Sequence, residues 1–269
     1  MNRKAKVILS TALSTFGLGA AANAAVLLQE SFTYPDGALE TVSGGLWQIN
    51  SGSGSKLVTS NKFVIDDNTT ADYQRQFNGG TTTTGAYSSF KLNMSSLDVP
   101  NSVGAYFAAL AGPSTGGTAF STFFRTRVGA FVSGSEGTGK FTLAISSGGS
   151  APNGTDYTQW GSALNFDQEY TIVTKYDGTT GENRLWVNPT SESDPSVVFS
   201  AASSSSAIGS FLWRSNSSSL DGDKTVDDLN VGTTFADVIG GGVVPEPTTA
   251  GALAAAGIAA MLRRRRSAN

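Results

Sequence analysis

Short apolar runs alternate with clusters of glycine, serine, asparagine and proline along most of the chain. Within a run, apolar and polar side chains often alternate one by one, as in Phe141, Leu143, Ile145 and the smaller residues between them. Residues two apart lie on the same face of a strand, so this period predicts half-buried β-strands. The segment 170–176 shows the same pattern, with Tyr170, Ile172 and Tyr176 on the apolar face.

Runs of this kind predict an all-β fold. The predicted strands span residues 26–32, 63–65, 73–77, 90–94, 104–110, 122–132, 141–146, 170–176, 184–187, 208–213 and 225–231. Many short strands separated by turn residues favour two packed antiparallel sheets. Asp177-Gly178 predicts a hairpin turn, and Pro189 ends the returning strand. Residues 235–238 predict at most one turn of helix.

The N-terminus has the pattern of a secretory signal peptide. Arg3, Lys4 and Lys6 precede an apolar stretch over 7–22, and Ala22-Asn23-Ala24 forms a small-x-small cleavage site. We therefore expect signal peptidase to remove residues 1–24 after Ala24, and the protein to be exported.

The C-terminus combines a Pro-Glu-Pro motif, Pro245, Glu246 and Pro247, with an uncharged segment over 248–262 and a basic end. As a helix, the uncharged segment reaches only about 22 Å, which is short of the roughly 30 Å hydrocarbon core of a bilayer. Positive charge stays on the cytoplasmic side, which predicts transient anchoring in the inner membrane. The basic end consists of Arg263, Arg264, Arg265 and Arg266.

These three elements in this order, over 241–269, resemble the PEP-CTERM sorting signal of Gram-negative bacteria. The resemblance implies cleavage near Pro-Glu-Pro by an exosortase-type membrane protease, in bacteria that secrete exopolysaccharide. It also implies a final location at the cell surface or outside the cell. The alternatives are a GPI-type signal, which would end apolar rather than in arginine, and an ordinary tail anchor.

Charge and composition exclude several classes of function. The whole chain has 18 basic and 21 acidic residues with no histidine or cysteine. Between the two terminal segments the net charge is about −9, with no basic cluster, so nucleic acid is not an expected partner. The absence of histidine and cysteine excludes Ser-His-Asp catalysis, cysteine nucleophiles and zinc sites built on these residues.

The body, residues 25–240, opens with ESFTYPDGALE followed by Gly45-Leu46-Trp47, continues through the hairpin YTIVTKYDGTTGENRLWVNP and closes with TVDDLNVGTTFADV. In these motifs it is similar to concanavalin A-like (laminin G-like) jelly-roll domains. It implies two curved sheets in which the first and last strands pair side by side. It implies no activity, because this fold hosts lectins, glycoside hydrolases, lyases and adhesion modules.

Two places have candidate binding chemistry. Carboxylates are the ligands that calcium prefers, and a calcium site is predicted at Asp221, Asp223, Asp227 and Asp228, with a solvated turn as the alternative. Trp160 lies in a polar loop and is the candidate for stacking against a sugar, with packing on the sandwich edge as the alternative. The other tryptophans, Trp47, Trp186 and Trp213, are expected to fill the core.

No catalytic residues are predicted. A glycosidase needs two carboxylates across the sugar, and the nearest match, Glu192-Ser193-Asp194, has Val197 where the next acid should be. The sequence thus predicts a non-enzymatic exported protein that contacts extracellular polysaccharide and has no cofactor beyond calcium. The alternative is a glycan-cleaving enzyme, either a glycoside hydrolase or a lyase, on the same fold.

Overall fold

The computed structural model describes residues 25–78, 80–97, 106–113, 123–132, 139–148, 156–200, 207–215 and 222–240. The predicted signal peptide and sorting signal, with Ala24, the Pro-Glu-Pro motif and the terminal arginines, lie outside these residues. No helix within the described ranges has the length and apolar character needed to cross a bilayer.

The described residues form strands and two short helices. In chain order these are β1 (Val26–Glu30), β2 (Gly37–Ala38), α1 (Leu39–Val42), β3 (Gln48–Ser51), β4 (Leu57–Thr59), β5 (Lys62–Ile65), β6 (Asp72–Gln76), β7 (Gly85–Met94), β8 (Tyr106–Ala111), β9 (Phe124–Val132), β10 (Lys140–Ser146), β11 (Thr158–Gln159), β12 (Leu164–Asn165), β13 (Glu169–Asp177), β14 (Glu182–Val187), β15 (Val197–Ser200), β16 (Ser210–Trp213), β17 (Lys224–Gly232) and α2 (Phe235–Ile239).

The strands build two antiparallel sheets, which confirms the predicted two-sheet architecture. Sheet A has the order β15-β14-β13-β7-β17-β5-β4-β2, and β1 also pairs with β17. Sheet B has the order β11-β10-β9-β8-β16-β6-β3, with β12 beside β10. The first and last strands therefore lie side by side, as the jelly-roll resemblance implied.

The core lies between the sheets and follows the alternation in the sequence. Phe141, Leu143 and Ile145 are fully buried in it, as predicted. Trp47 and Trp213 are also fully buried there, and the Trp213 ring packs edge-on against Phe90 at 5.0 Å between centroids. Burial of a large aromatic side chain contributes about 1.5–3 kcal/mol, so these rings stabilise the contact between the sheets.

Trp186 is buried in a second apolar cluster rather than in the expected main core. It packs with Tyr87, Val173 and Val238 on the opposite side of sheet A, beneath α2. The Thr234 hydroxyl caps α2 by accepting a hydrogen bond from the Asp237 backbone N–H. In return, the Asp237 carboxylate accepts a hydrogen bond from the Thr234 backbone N–H. One turn of helix thus covers sheet residues that would otherwise be exposed.

Several strands were not predicted. β2, β3, β4, β11, β12 and β15 span two to four residues each, too few for a pattern to show. β7 begins at Gly85, five residues before the predicted start, because its first half, which has few large apolar residues, pairs with β13 on one side and β17 on the other. Neighbouring strands, rather than local propensity, fix this segment as strand.

Candidate functional site

An opening in sheet A lies along one edge of β17. The first residues of β17, Lys224–Val226, pair with β5, whereas its last residues, from Leu229 to Gly232, pair with β1. Between the two partners β17 forms a bulge, since Asp227 lies opposite Lys91 while Asn230 lies opposite Ser89. Asp228, in the bulge, has a left-handed backbone with φ +48°. Bulges re-aim side chains and interrupt pairing, and here the interruption separates β1 from β5.

A cavity of about 540 Å³ opens at this place. Residues from β1, β7, β13, β17 and α2 line it on the outer side of the sheet, and Glu30, Tyr34 and Arg75 line its inner end. The volume is within the range of about 300–1,000 Å³ typical of small-ligand sites.

The mouth of the cavity has charged and amide side chains. Lys91 Nζ lies 2.8 Å from a carboxylate oxygen of Asp228 and 3.9 Å from Glu169. The hydrogen bond and charge of Asp228 raise the pKa of Lys91, so this lysine stays cationic. The Gln29 side chain donates to the Asn230 side-chain oxygen at 3.2 Å, and the Asn230 amide donates to the Asp228 carbonyl at 3.0 Å.

The inner end of the cavity is a buried ion pair between Glu30 and Arg75. Glu30 also accepts hydrogen bonds from the Phe32 backbone N–H at 2.7 Å, the Tyr34 hydroxyl at 2.8 Å and the Trp47 indole N–H at 2.9 Å. Burial, with the bond to Glu30, raises the pKa of Tyr34 to about 12. Tyr34 therefore remains a neutral hydrogen-bond donor across the physiological range.

One wall of the cavity is apolar. Val238 and Ile239 from α2 form part of the lining, and the Ser89 hydroxyl fixes the helix by donating to the Val238 carbonyl at 2.6 Å. Thr171 adds a hydroxyl from β13. The lining thus combines an aliphatic surface with hydrogen-bonding groups at the mouth.

The charges of the lining balance, because Lys91 and Arg75 offset Asp228 and Glu30. The lining therefore offers both hydrogen-bond donors and acceptors, and its charged side chains sum to no net charge. It contains two carboxylates, but each has a cationic partner, and Glu30 accepts four hydrogen bonds in all. Both carboxylates of the lining are thus engaged by neighbouring groups.

The predicted calcium ligands are only partly described. Asp221 lies outside the described residues, while Asp223, Asp227 and Asp228 lie at the start and bulge of β17. Asp228 is paired with Lys91, and Asp227 accepts from the Asp228 amide at 2.8 Å. Among the described residues there is no group of three or more acidic side chains placed to hold a metal. The four-residue calcium site stays a prediction.

Trp160 is half-buried and packs against the main core. Its backbone N–H donates to the Leu143 carbonyl at 2.7 Å, and its carbonyl accepts from the Thr142 hydroxyl at 2.8 Å. These contacts agree with the alternative stated for Trp160, in which its loop packs on the edge of the sandwich. A role in sugar binding stays a prediction.

The acidic run Glu192-Ser193-Asp194 lies in the connection between β14 and β15. Asp194 accepts from the backbone N–H groups of Thr190 and Ser191, and Glu192 accepts from Tyr87 and Lys175. Both carboxylates thus stabilise the local chain.

Sequence reasoning missed the cavity residues Glu30, Arg75, Lys91 and Asn230. One signal was available, since alternation in β1 places Glu30 on the same face as the buried Leu28. An acid on an apolar face needs a partner, but the partner, Arg75, is 45 residues away in the chain.

The sequence matches no known protein-family profile. A search of curated proteins also finds no match. Among solved structures, the chain is similar to a sialidase at 10% identity and a TM-score of 0.45, and it spans 19% of that protein's length while 77% of this chain is covered.

Two further similar structures are an alginate lyase and an exoplasmic/lumenal domain. A marine PL7 alginate lyase, AlyA1 from Zobellia galactanivorans, is 15% identical with a TM-score of 0.42, and the match covers 71% of this chain and 96% of the lyase. The exoplasmic/lumenal domain of VIP36, in a Ca²⁺/Man3GlcNAc-bound form, is 9% identical with a TM-score of 0.43 and coverages of 71% and 85%. At these values the likenesses assign neither an activity nor a ligand to this chain.

Proposed function

We propose that this protein binds polysaccharide outside the cell, through the cavity in sheet A, and is not an enzyme. The observation that carries the proposal is the cavity itself, about 540 Å³ in volume, with balanced charge, amide and hydroxyl groups at its mouth and an aliphatic wall. Sugar hydroxyls require donors and acceptors together, and the C–H face of a sugar ring packs on apolar surface. A neutral saccharide fits this combination.

Binding is favoured over cleavage because both carboxylates of the cavity are engaged. Hydrolysis requires one acid that can give up a proton and a second that can act as base or nucleophile. Glu30 is held by Arg75 and three further donors, and Asp228 by Lys91. A saccharide would meet fixed, paired charges rather than a reactive pair.

The cellular setting is part of the proposal. The signal peptide over 1–24 and the sorting signal over 241–269 support export and delivery to the cell surface or extracellular medium. Exopolysaccharide is the expected partner there, and the body's net charge of about −9 keeps the protein soluble.

Replacing Lys91 tests the cavity. Lys91 and Lys62 are both exposed and both form ion pairs with Glu169, but only Lys91 lines the cavity. Calorimetry with neutral oligosaccharides released from the producer's exopolysaccharide should show binding weakened about five- to tenfold in Lys91→Ala, equivalent to about 1–1.4 kcal/mol. Lys62→Ala should bind as the unaltered protein does.

Equal affinities in the two variants, or no binding by the unaltered protein, would contradict the assignment of this cavity. Measuring reducing ends in the same mixtures separates binding from cleavage. Steady release of new ends would favour the glycan-cleaving alternative.

A further inference from the structure

The main core closes the inner end of the cavity in sheet A. Glu30 and Arg75, which line that end, are only 6% and 8% exposed. Trp47 belongs to the main core and is fully buried, and it contacts both of them. Its indole N–H donates to Glu30 at 2.9 Å, and its ring centre lies 6.0 Å from the Arg75 guanidinium. A ligand that reaches the inner end therefore meets packed side chains and cannot continue through the protein.

The mouth of the cavity, in contrast, is open to solvent. The side chains of Lys91 and Asp228 are 42% and 47% exposed there, and Gln29 is also exposed. Gln29 and Glu30 are consecutive residues of β1, and consecutive side chains of a strand point to opposite faces of the sheet. The cavity therefore runs from the outer face of sheet A, past the edge of β1, toward the space between the sheets.

The size and shape of the cavity limit how a polysaccharide can enter it. A volume of about 540 Å³ encloses one drug-sized ligand, which corresponds to about one or two sugar units. When a site encloses a unit within a chain, the chain must leave in two directions. A cavity with a closed inner end lets the chain leave only through the mouth, so a terminal unit is the part of the polymer that can fill it.

The inner end offers hydrogen bonds to the hydroxyls of such a unit. A terminal unit has one glycosidic linkage fewer than an internal unit, and therefore one more free hydroxyl. Arg75 has five N–H donors, of which its bond to Glu30 uses one. The Tyr34 hydroxyl donates to Glu30, and its oxygen can still accept. Because Glu30 offsets the charge of Arg75, these groups suit a neutral sugar.

We propose that the cavity in sheet A takes the non-reducing terminal unit of a neutral polysaccharide chain or branch. The inference rests on the proposed function and names the part of the polymer that this site recognises. The anomeric carbon of a non-reducing unit is held in its linkage, so the unit keeps one ring form. A reducing unit interconverts between two anomers and an open chain, and only part of it would present the shape that fits.

The stoichiometry of binding tests the recognition of chain ends. Calorimetry compares a short and a several-fold longer fraction of linear neutral oligosaccharides released from the producer's exopolysaccharide. One protein should bind per chain in both fractions, with affinities per chain within about twofold of each other, because each linear chain has one non-reducing end. Several proteins per long chain, or an affinity per chain that rises in proportion to its length, would overturn the proposal.

Borohydride reduction of the same fractions separates the two kinds of chain end. The treatment converts the reducing unit to an open alditol and leaves the non-reducing unit intact. The reduced fractions should bind as the untreated ones do. Loss of binding would show that the site takes the reducing unit, which contradicts the proposal.

Tyr34→Phe tests contact at the inner end. The change keeps the ring but removes the hydroxyl, and it should weaken binding of both fractions about two- to tenfold. Tyr157→Phe is the matched control, because Tyr157 is also half-buried but stacks on Phe131 of sheet B and does not line the cavity. It should bind as the unaltered protein does. Melting temperatures show whether both variants are folded, and the stoichiometry test needs neither of them.

Failure of this proposal is distinguishable from failure of the proposed function. If Lys91→Ala weakens binding and a folded Tyr34→Phe does not, the saccharide contacts the mouth alone. Recognition of a terminal unit would then be wrong, while binding at the cavity would stand. If the unaltered protein binds neither fraction, both proposals fail.

Discussion

Several charged side chains are buried at a strand connection and between the two sheets of this sandwich. Lys56 is 2% exposed, and its ammonium group donates to the carbonyls of Asp66 and Thr69 at 2.6 and 2.9 Å, besides its ion pair with Asp66. This lysine holds the connection between β5 and β6 by satisfying backbone groups that no strand pairs. Glu30 and Arg75 form a buried ion pair that joins β1 of sheet A to β6 of sheet B.

Removing one member of the Glu30–Arg75 pair should destabilise the protein strongly. Arg75→Leu leaves the Glu30 carboxylate buried without its cation, and loss of one partner of a buried pair costs about 3–5 kcal/mol. Urea unfolding followed by tryptophan fluorescence measures this loss. Arg184→Leu, which breaks a partly exposed pair with Glu182, should cost much less, about 1 kcal/mol.

The double variant Glu30→Leu/Arg75→Leu provides a further check. Because it removes both charges, it should be less destabilised than the sum of the two single changes. Strict additivity would show that the two side chains do not depend on each other.

The short helix α2 determines which surface of sheet A is open. It follows β17 directly and covers Trp186, Tyr87 and Val173, which strand periodicity alone would leave exposed. Its last residues also form the apolar wall of the cavity. A helix of one turn is not stable by itself, so the capping box and the contact with Trp186 maintain it.

Thr234→Ala should loosen α2. The change removes the side-chain acceptor for the Asp237 amide, and loss of such a cap costs about 0.5–2 kcal/mol. Amide hydrogen exchange should become faster in residues 235–239 and near Trp186, while β10 in sheet B stays protected. Thr234→Ser, which keeps the hydroxyl, should restore protection, and uniform loss of protection in both variants would contradict a local role.

At the scale of the whole molecule, the proposed export and sorting make a prediction about mass. Protein recovered from producing cells should lack residues 1–24 and the apolar segment after Pro-Glu-Pro, because both are proposed to be removed during export. Intact-mass spectrometry of the recovered protein measures both ends. Replacing the motif by Pro245→Ala/Glu246→Ala/Pro247→Ala should leave the C-terminal segment attached. Recovery of the unshortened chain from the cell interior would contradict the proposal.

The strand pattern was predictable where alternation covers several residues, as in β10 and β13, whose apolar faces lie in the core as expected. It was not predictable in β3 and β4, which are short and mostly exposed, with burial patterns that give no period. Of the cavity, the sequence showed only that Glu30 lies on an apolar face.

The sequence by itself determined the all-β class, the apolar faces of the longer strands and the acidic, cysteine- and histidine-free composition, because these depend on local period and composition. Only the tertiary structure decided which polar residues meet. Lys91, Asn230 and Gln29 come together because β17 changes partner from β5 to β1 at a bulge. Pairings between distant segments follow from packing of the whole chain, which no local pattern contains.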